Sequence, residues 1–148
     1  MPDEAPRLTG GCVCGAVRFE VSAPLVGALY CHCKRCQRRT GSAFSVSALT
    51  EPGTFAIERG AEAVRTYEPR DDGWLKSYCA GCGSQLFTSN PDDAELIAVR
   101  MGALDDDPGV RPSAHQFVDY TPAWAPVPED GLPRFPERIS WGVGAGSR

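Results

Sequence analysis

Apolar and polar side chains alternate along several short stretches of the chain, which is the pattern of strands that bury one face. In the first of these, Val17, Phe19 and Val21 lie on one face, and the polar residues between them lie on the other. Further candidate strands follow at 43–49, 54–58, 64–67, 74–78, 85–87 and 96–99. Turn signals rich in glycine, proline and aspartate separate many of these short strands, and this spacing is typical of an all-β architecture.

A single short segment, 34–39, is predicted to be helical, and Gly41 marks its end. No helical pattern is long enough to connect two parallel strands. The predicted fold class is therefore mainly β, with short antiparallel strands and one short helix after the cysteines near position 33. From Asp105 onward the chain is rich in proline and lacks periodicity, which predicts loops. We expect one domain over 1–148, with a core at about 8–138 and loose termini.

The charge balance is slightly acidic, with a net charge of −4 and a pI of about 5.1. This balance argues against nucleic acid or an anionic membrane as the main partner. The chain contains no run of about 18 apolar residues that would predict a membrane span. It begins with the acidic segment Met1–Glu4, and no apolar signal segment follows. We therefore expect a cytoplasmic protein.

Cysteine is the residue type that says most about chemistry. The chain has seven cysteines, an odd number, and they fall into three tight clusters. Without an export signal, an odd count makes a disulfide framework unfavourable. Clustered cysteines in a reducing compartment are typical of metal-bound thiolates.

Cys31, Cys33 and Cys36 form the central cluster. Residues two apart share a face of an extended segment, and residues three apart share a face of a helical turn, so the three sulfurs should converge. His32 is expected to point away from them and to hydrogen-bond locally. Catalytic zinc sites often have three protein ligands and an open position. An open, catalytic zinc site is the first interpretation, and a structural site completed by a distant residue is the second.

The other four cysteines form two pairs that are far apart in the sequence, Cys12/Cys14 and Cys79/Cys82. Four thiolates suit a closed, structural zinc site. Such a site would tie the N-terminal strand to the middle of the chain, and its metal affinity would add to stability. The alternative interpretation is two unrelated surface pairs, or a redox pair at Cys79 and Cys82.

Four cations accompany the central cluster, and they are Lys34, Arg35, Arg38 and Arg39. They could offset the negative charge of a zinc ion with three thiolates, or hold a carboxylate of a small anionic ligand. The alternative is an ordinary solvated helix face.

Four further residues near or after the cluster have two possible roles each. Thr40 and Ser42 could donate hydrogen bonds to a ligand, or they could simply mark the helix end and the start of the next strand. His115 is more often structural than catalytic when it stands alone. Trp124 could cover a cleft, but we expect it to fill the core.

In these cysteine clusters and the residues around them, the chain resembles the glutathione-dependent formaldehyde-activating enzyme family, which includes centromere protein V. The matching stretches lie at 10–19, 31–38, 40–44 and 79–84, with His115, Trp124 and 130–135 further along. The resemblance covers roughly residues 8–138 and implies a β-rich, Mss4-like fold with two zinc ions. It implies a structural zinc on the two outer cysteine pairs, and a catalytic zinc on Cys31, Cys33 and Cys36.

The resemblance also implies a carbon–sulfur lyase of the S-hydroxymethylglutathione synthase type. A thiol, with glutathione as a possible co-substrate, would be activated at the open zinc position and would attack a small aldehyde such as formaldehyde. The candidate substrate-binding residues are Arg35, Arg38, Arg39, Thr40, Ser42 and His115. The alternatives are a zinc-stabilised protein-binding module without catalysis and a thiol redox or metal-storage protein. The sequence leaves the oligomeric state open.

Overall fold

The computed structural model describes residues 7–71 and 73–139. The strands are β1 (Leu8–Gly11), β2 (Arg18–Val21), β3 (Gly27–Cys31), β4 (Ser45–Leu49), β5 (Phe55–Arg59), β6 (Val64–Tyr67), β7 (Leu75–Cys79), β8 (Gln85–Asn90), β9 (Asp93–Arg100) and β10 (Pro112–Gln116). One α-helix, α1 (Lys34–Thr40), is present in these residues, together with short 3-10 turns at Ala61–Ala63, Met101–Ala103 and Val118–Tyr120. The prediction of a mainly β fold with one short helix is confirmed. No described helix is long and apolar enough to cross a membrane.

The chain divides into two compact units, which are described separately below. The first unit contains the described residues up to Gly27 together with Ser47–Val110, and the second contains Ala28–Val46 together with the described residues from Arg111 onward. The expectation of a single domain over the whole chain stays a prediction.

The first unit is built from antiparallel strands. One sheet has the strand order β1-β2-β5. In the other sheet, the residues of β4 that belong to this unit pair with β9, and the strands then follow in the order β9-β8-β7-β6. The predicted alternation is borne out, because Val17, Phe19 and Val21 are at most 1% exposed. Leu86 and Val99 are also fully buried, so the core of this unit consists of apolar side chains from both sheets.

The second unit contains a parallel pair, β3 with β10, in which His115 lies opposite Tyr30. The prediction that the chain forms only loops after Asp105 is therefore wrong at β10. This strand buries Ala114 and His115, a small and a polar residue, so it lacks the apolar alternation that marks a strand in a sequence. The expectation of antiparallel pairing is also wrong for this one pair. Parallel strands need a long connection, and here most of the chain, rather than a helix, provides it.

Helix α1 begins and ends where the sequence predicts, and both ends have local causes. The sulfur of Cys33 accepts a hydrogen bond from the backbone N–H of Cys36 and caps the first turn. Gly41 adopts the left-handed conformation with φ 67°, and its N–H donates to the carbonyl of Gln37. The buried amide of Gln37 donates to the carbonyls of His32 and Tyr120, at 2.9 and 2.8 Å. These bonds fix the helix against the residues that precede and follow it in the second unit.

Trp124 does not lie in the core. It is 72% exposed, in an irregular segment that contains Pro122 and Pro126. The prediction that it fills the core is wrong, because prolines on both sides keep this segment out of the sheets.

Candidate metal centres

The four outer cysteines come together in the first unit. Cys12 and Cys14 belong to the turn between β1 and β2, whereas Cys79 ends β7 and Cys82 lies in the turn between β7 and β8. Their sulfur atoms all lie within 4.8 Å of one another. The Cys12–Cys14 and Cys14–Cys79 sulfur distances are 3.5 and 3.8 Å. Sulfurs that bind one zinc ion tetrahedrally with bonds of about 2.3 Å lie about 3.8 Å apart, so this donor set fits zinc.

Hydrogen bonds from the first unit stabilise thiolates in this four-sulfur cluster. The backbone N–H of Val17 lies 3.2 Å from the Cys12 sulfur. The Ser84 hydroxyl accepts from the N–H of Val13 at 3.0 Å, and its own proton can point to the Cys82 sulfur at 3.2 Å. This hydroxyl, followed by the N–H of Ser84, lowers the pKa of Cys82 to about 6. Such bonds to the sulfurs favour the ionised form that binds metal.

The three central cysteines come together in the second unit. Cys31 ends β3, Cys33 caps α1, and Cys36 lies in the first turn of that helix; their sulfurs lie within 4.8 Å of one another. No fourth His, Cys, Asp or Glu joins this three-sulfur cluster among the residues that the structure describes. The Cys36 N–H donates to the Cys33 sulfur at 3.2 Å, and the Ser45 hydroxyl donates to the Cys36 sulfur at 3.1 Å.

The electrostatics of the three-sulfur cluster favour a bound cation. Hydrogen bonds with Cys33 and Cys36, followed by burial, raise the pKa of Cys31 far above the ordinary range. Three neighbouring thiolates repel one another, so they ionise together when a cation neutralises them. Thiolate sulfur is the donor that zinc prefers. The residues present therefore fit a zinc ion with three protein ligands.

The predicted substrate-binding residues lie around α1 in different environments. Arg38 and Ser42 are exposed, whereas Arg35 and Arg39 are partly buried. The Thr40 hydroxyl donates to the carbonyl of Cys36 at 2.8 Å and accepts from the N–H of Ser42. Thr40 therefore stabilises the end of the helix, as the second interpretation of this residue predicts. Contact of these residues with a substrate stays a prediction.

A chain of three side chains lies beside the central cluster, and it was not expected from the sequence. His32 Nε2 lies 2.9 Å from His115 Nδ1, and His115 Nε2 lies 2.8 Å from Asp130 Oδ2. The two imidazoles are 2% and 1% exposed, and the ring of Tyr30 stacks on His115 with centroids 4.7 Å apart. The expectation that His32 hydrogen-bonds locally is wrong, because its partner lies on β10. Both ring nitrogens of His115 are engaged, while its predicted contact with substrate stays a prediction.

The order of donors along this chain follows from Asp130. The N–H of His115 and the backbone N–H of Leu132 hold the pKa of Asp130 below its usual value, so its carboxylate accepts. His115 then donates from Nε2, and in its neutral form it accepts at Nδ1 from the Nε2–H of His32. Burial, followed by the nearby His115, lowers the pKa of His32, and this shift favours the neutral imidazole. The His32-His115-Asp130 chain thus connects the Cys31–Cys33 segment to a carboxylate nearly one hundred residues away.

Phe117 is a further residue near the cluster that sequence analysis does not single out. It packs against the buried group formed by Leu29, Cys31 and Cys36. Its φ of 57° lies in the left-handed region, which is rare for a bulky side chain and costs about 1–3 kcal/mol. Sequence gives no signal for this conformation, nor for Ser45, because the contacts of both depend on distant segments.

Comparisons with known proteins identify the family of the chain. A family model described as "Glutathione-dependent formaldehyde-activating enzyme" matches residues 7–120, and the chain belongs to this family. A Halomonas elongata protein, provisionally named a glutathione-dependent formaldehyde-activating enzyme, is 29% identical over 126 residues, covering 81% of this chain and 80% of that protein. The crystal structure of a Rhodobacter sphaeroides protein matches with a TM-score of 0.57 and 25% identity, covering 85% of this chain and 98% of that one.

Proposed function

We propose that the chain is a zinc-dependent enzyme of the carbon–sulfur lyase type, which joins a thiol to a small aldehyde. The observation that carries this proposal is the three-sulfur cluster, because no fourth protein ligand joins it among the described residues. The same chain assembles a four-sulfur cluster elsewhere, so it has the means to close a site with thiolates and does not do so here. Family membership supports glutathione and formaldehyde as the two reactants.

The residues around the cluster are suited to hold three ionised sulfurs. Ser45 and the backbone N–H of Cys36 each donate to a sulfur. The basic residues of α1 contribute positive charge near the cluster, which offsets the net negative charge of zinc bound by three thiolates. A zinc ion held by Cys31, Cys33 and Cys36 would favour the ionised form of an incoming thiol.

The bond changes follow from thiol and aldehyde chemistry. The thiolate sulfur attacks the aldehyde carbon, a carbon–sulfur bond forms, and the carbonyl electron pair moves to oxygen, which takes up a proton. The reverse reaction cleaves the carbon–sulfur bond of this thiohemiacetal and returns the thiol and the aldehyde. The carboxylates of glutathione would be bound by Arg35, Arg38 or Arg39, the arginines closest in sequence to the cluster.

The state of the cysteines agrees with this proposal. None of the seven cysteines forms a disulfide in the structure. Free thiols persist in a reducing compartment such as the cytoplasm, where glutathione is abundant in its reduced form. We therefore propose a cytoplasmic protein whose partners are small molecules.

The test measures how fast formaldehyde exchanges between its free and glutathione-bound forms. Labelled formaldehyde and glutathione are mixed with the zinc-loaded protein, and exchange is followed by nuclear magnetic resonance. We expect the wild type to accelerate exchange, Cys33→Ser to lose the acceleration, and Glu58→Gln, an exposed residue of the first unit, to keep it. Unchanged exchange with protein that holds two zinc ions would rule out this reaction.

Cobalt replacement separates the thiol site from the choice of aldehyde. Thiol binding through sulfur should change the cobalt absorption bands and release about one proton per thiol near neutral pH, since a free thiol has a pKa near 8.5. If the bands change but exchange does not accelerate, the thiol site stands and formaldehyde is not the reactant. If neither changes, the protein-binding alternative is favoured.

A further inference from the structure

The three-sulfur cluster has two buried members and one, Cys33, that is only partly buried. The two buried cysteines form a group with Leu29. Among the described residues, the partly buried apolar side chains that pack against this group are those of Cys33, Phe117 and Ile139. The part of the cluster that a ligand from solvent can reach therefore lies at Cys33, on a surface that also contains an aromatic ring.

The pairing of β10 with β3 brings Phe117 to the cluster. Gln116, the last residue of β10, is the register partner of Cys31, and its carbonyl accepts from the N–H of His32 at 3.0 Å. The next residue is Phe117, where a φ of 57° ends the strand and leads into the 3-10 turn Val118–Tyr120. Strand register and this turn together fix the position of the phenylalanine next to the sulfurs.

The strained backbone of Phe117 is held by hydrogen bonds on both sides. Its N–H donates to the carbonyl of Glu137 at 3.1 Å, and the Val118 N–H donates to the carbonyl of Phe135 at 3.0 Å. The Tyr120 N–H donates to the carbonyl of Phe117 at 3.1 Å. Glycine or asparagine adopts a left-handed φ more easily than a bulky residue does. Such strain persists where the surrounding structure fixes it, and it concentrates at ligand sites, so it points to a role for the aromatic ring.

We propose that Phe117 is a specificity-determining residue of the thiol site, and that its ring contacts the carbon chain attached to the thiol sulfur. A thiol that reaches the sulfurs at Cys33 brings its first carbon atoms to the same surface, where contact with the ring excludes water from them. Each buried methylene group raises affinity about fourfold. This inference rests on the proposed function, because a thiol must bind at the three-sulfur cluster, and it adds the residue that favours organic thiols over hydrosulfide.

The test compares hydrosulfide, methanethiol and ethanethiol, which contain no, one and two carbon atoms. Isothermal calorimetry on the zinc-loaded protein measures the affinity of each for the wild type and for Phe117→Gly, since glycine adopts the left-handed φ without strain. For each thiol, the ratio of the two affinities removes the effect of its own acidity. We expect a ratio near one for hydrosulfide, about fourfold for methanethiol and on the order of tenfold for ethanethiol.

The neighbouring residue provides a matched control. Val118 is also partly buried, but it is not one of the side chains that pack against the group formed by Leu29 and the two buried cysteines. Val118→Ala should therefore give a ratio near one for all three thiols. If Phe117→Gly does not retain two zinc ions, Phe117→Asn replaces it, because asparagine also tolerates this φ, and the same ratios are expected.

Two outcomes would overturn the inference, and they differ in what they say about the proposed function. A ratio that is the same for the three thiols would overturn the inference alone, because a merely structural role of Phe117 would change the site for hydrosulfide and ethanethiol alike. Thiol activation at the three-sulfur cluster would then still stand. A wild-type protein that holds two zinc ions and binds none of the three thiols would overturn the proposed function together with this inference.

Discussion

The two cysteine clusters use the same donor atom but are assembled in different ways. The four-sulfur cluster is assembled from two turns of the first unit that are 65 residues apart, and one of its members, Cys14, is exposed. The three-sulfur cluster is assembled from six consecutive residues of the second unit, and two of its members belong to a buried group with Leu29. A cluster that joins distant segments contributes to folding, whereas a cluster formed locally contributes less to folding and can leave a position for a ligand.

The hydrogen bonds to sulfur sharpen this comparison. Each cluster receives one serine hydroxyl, from Ser84 in the first unit and from Ser45 in the second. Backbone N–H groups also contribute, from Val17 and Ser84 in the first unit and from Cys36 in the second. The two clusters therefore stabilise thiolates in similar ways. They differ in the number of sulfurs and in how far apart in sequence the contributing segments lie.

The largest expected effect separates folding from function. Cys79→Ser should lose one zinc ion and unfold the protein, because metal binding at a structural site contributes on the order of 10 kcal/mol to folding. Cys36→Ser should also lose one zinc ion, but with a smaller loss of stability. Elemental analysis, with a wild-type value of two zinc ions per chain, and the unfolding temperature measure both. An iron–sulfur spectrum, or one zinc ion in the wild type, would contradict this assignment.

The serine hydroxyls allow a matched test with a smaller effect. Ser45→Ala should weaken zinc binding at the three-sulfur cluster about 10–100-fold, the usual consequence of removing a hydrogen bond to a metal ligand. Ser84→Ala should do the same at the four-sulfur cluster and should also lower the unfolding temperature. Competition with a zinc chelator measures both affinities. Equal losses of stability in the two variants would show that both clusters are structural.

A carboxylate in each unit provides a test of pH dependence. Hydrogen bonds from His115 and then Leu132 lower the pKa of Asp130, and those from Arg18 and then Thr9 lower the pKa of Asp105. A lowered carboxyl pKa contributes stability that is present above the unfolded value, near 3.9, and is lost as pH falls through the lower, folded value.

We therefore expect the free energy of unfolding of Asp130→Asn and of Asp105→Asn to decrease less than that of the wild type as the pH is lowered. Only Asp130→Asn should also speed zinc release from the three-sulfur cluster at neutral pH, because only this carboxylate connects to the Cys31–Cys33 segment. Urea unfolding between about pH 3 and 7 and zinc release kinetics measure the two effects. Equal zinc release in both variants would show that the His32-His115-Asp130 chain does not act on the cluster.

Local patterns in the sequence were sufficient for much of the fold and for the grouping of the sulfurs. The alternation around Phe19 and the end of α1 at Gly41 depend on neighbouring residues, and both are as predicted. The partition of seven cysteines into four and three follows from their spacing, because C-x-C and C-x-x-C segments hold sulfurs on one side.

Features that depend on distant segments were not predictable in this way. β10 has little apolar character and is recognisable only through its parallel pairing with β3. Asp130 and Ser45 look like ordinary polar residues until the fold places them against His115 and the Cys36 sulfur. Arg100 reads as the charged end of a strand, and only its burial makes it unusual.

The last test concerns the cations beside the three-sulfur cluster, a feature that was not compared above. Arg38 is exposed, whereas Arg35 and Arg39 are partly buried. If a partly buried arginine binds a substrate carboxylate, its change to alanine should cost about 2–5 kcal/mol of binding, whereas loss of a solvated contact costs under about 1 kcal/mol. We expect Arg35→Ala or Arg39→Ala to raise KM for glutathione and Arg38→Ala to change it little. The rise should vanish for a neutral thiol such as 2-mercaptoethanol, which has no carboxylate to bind. KM values for glutathione that are unchanged from the wild type in all three variants would instead assign these arginines to an ordinary solvated helix face.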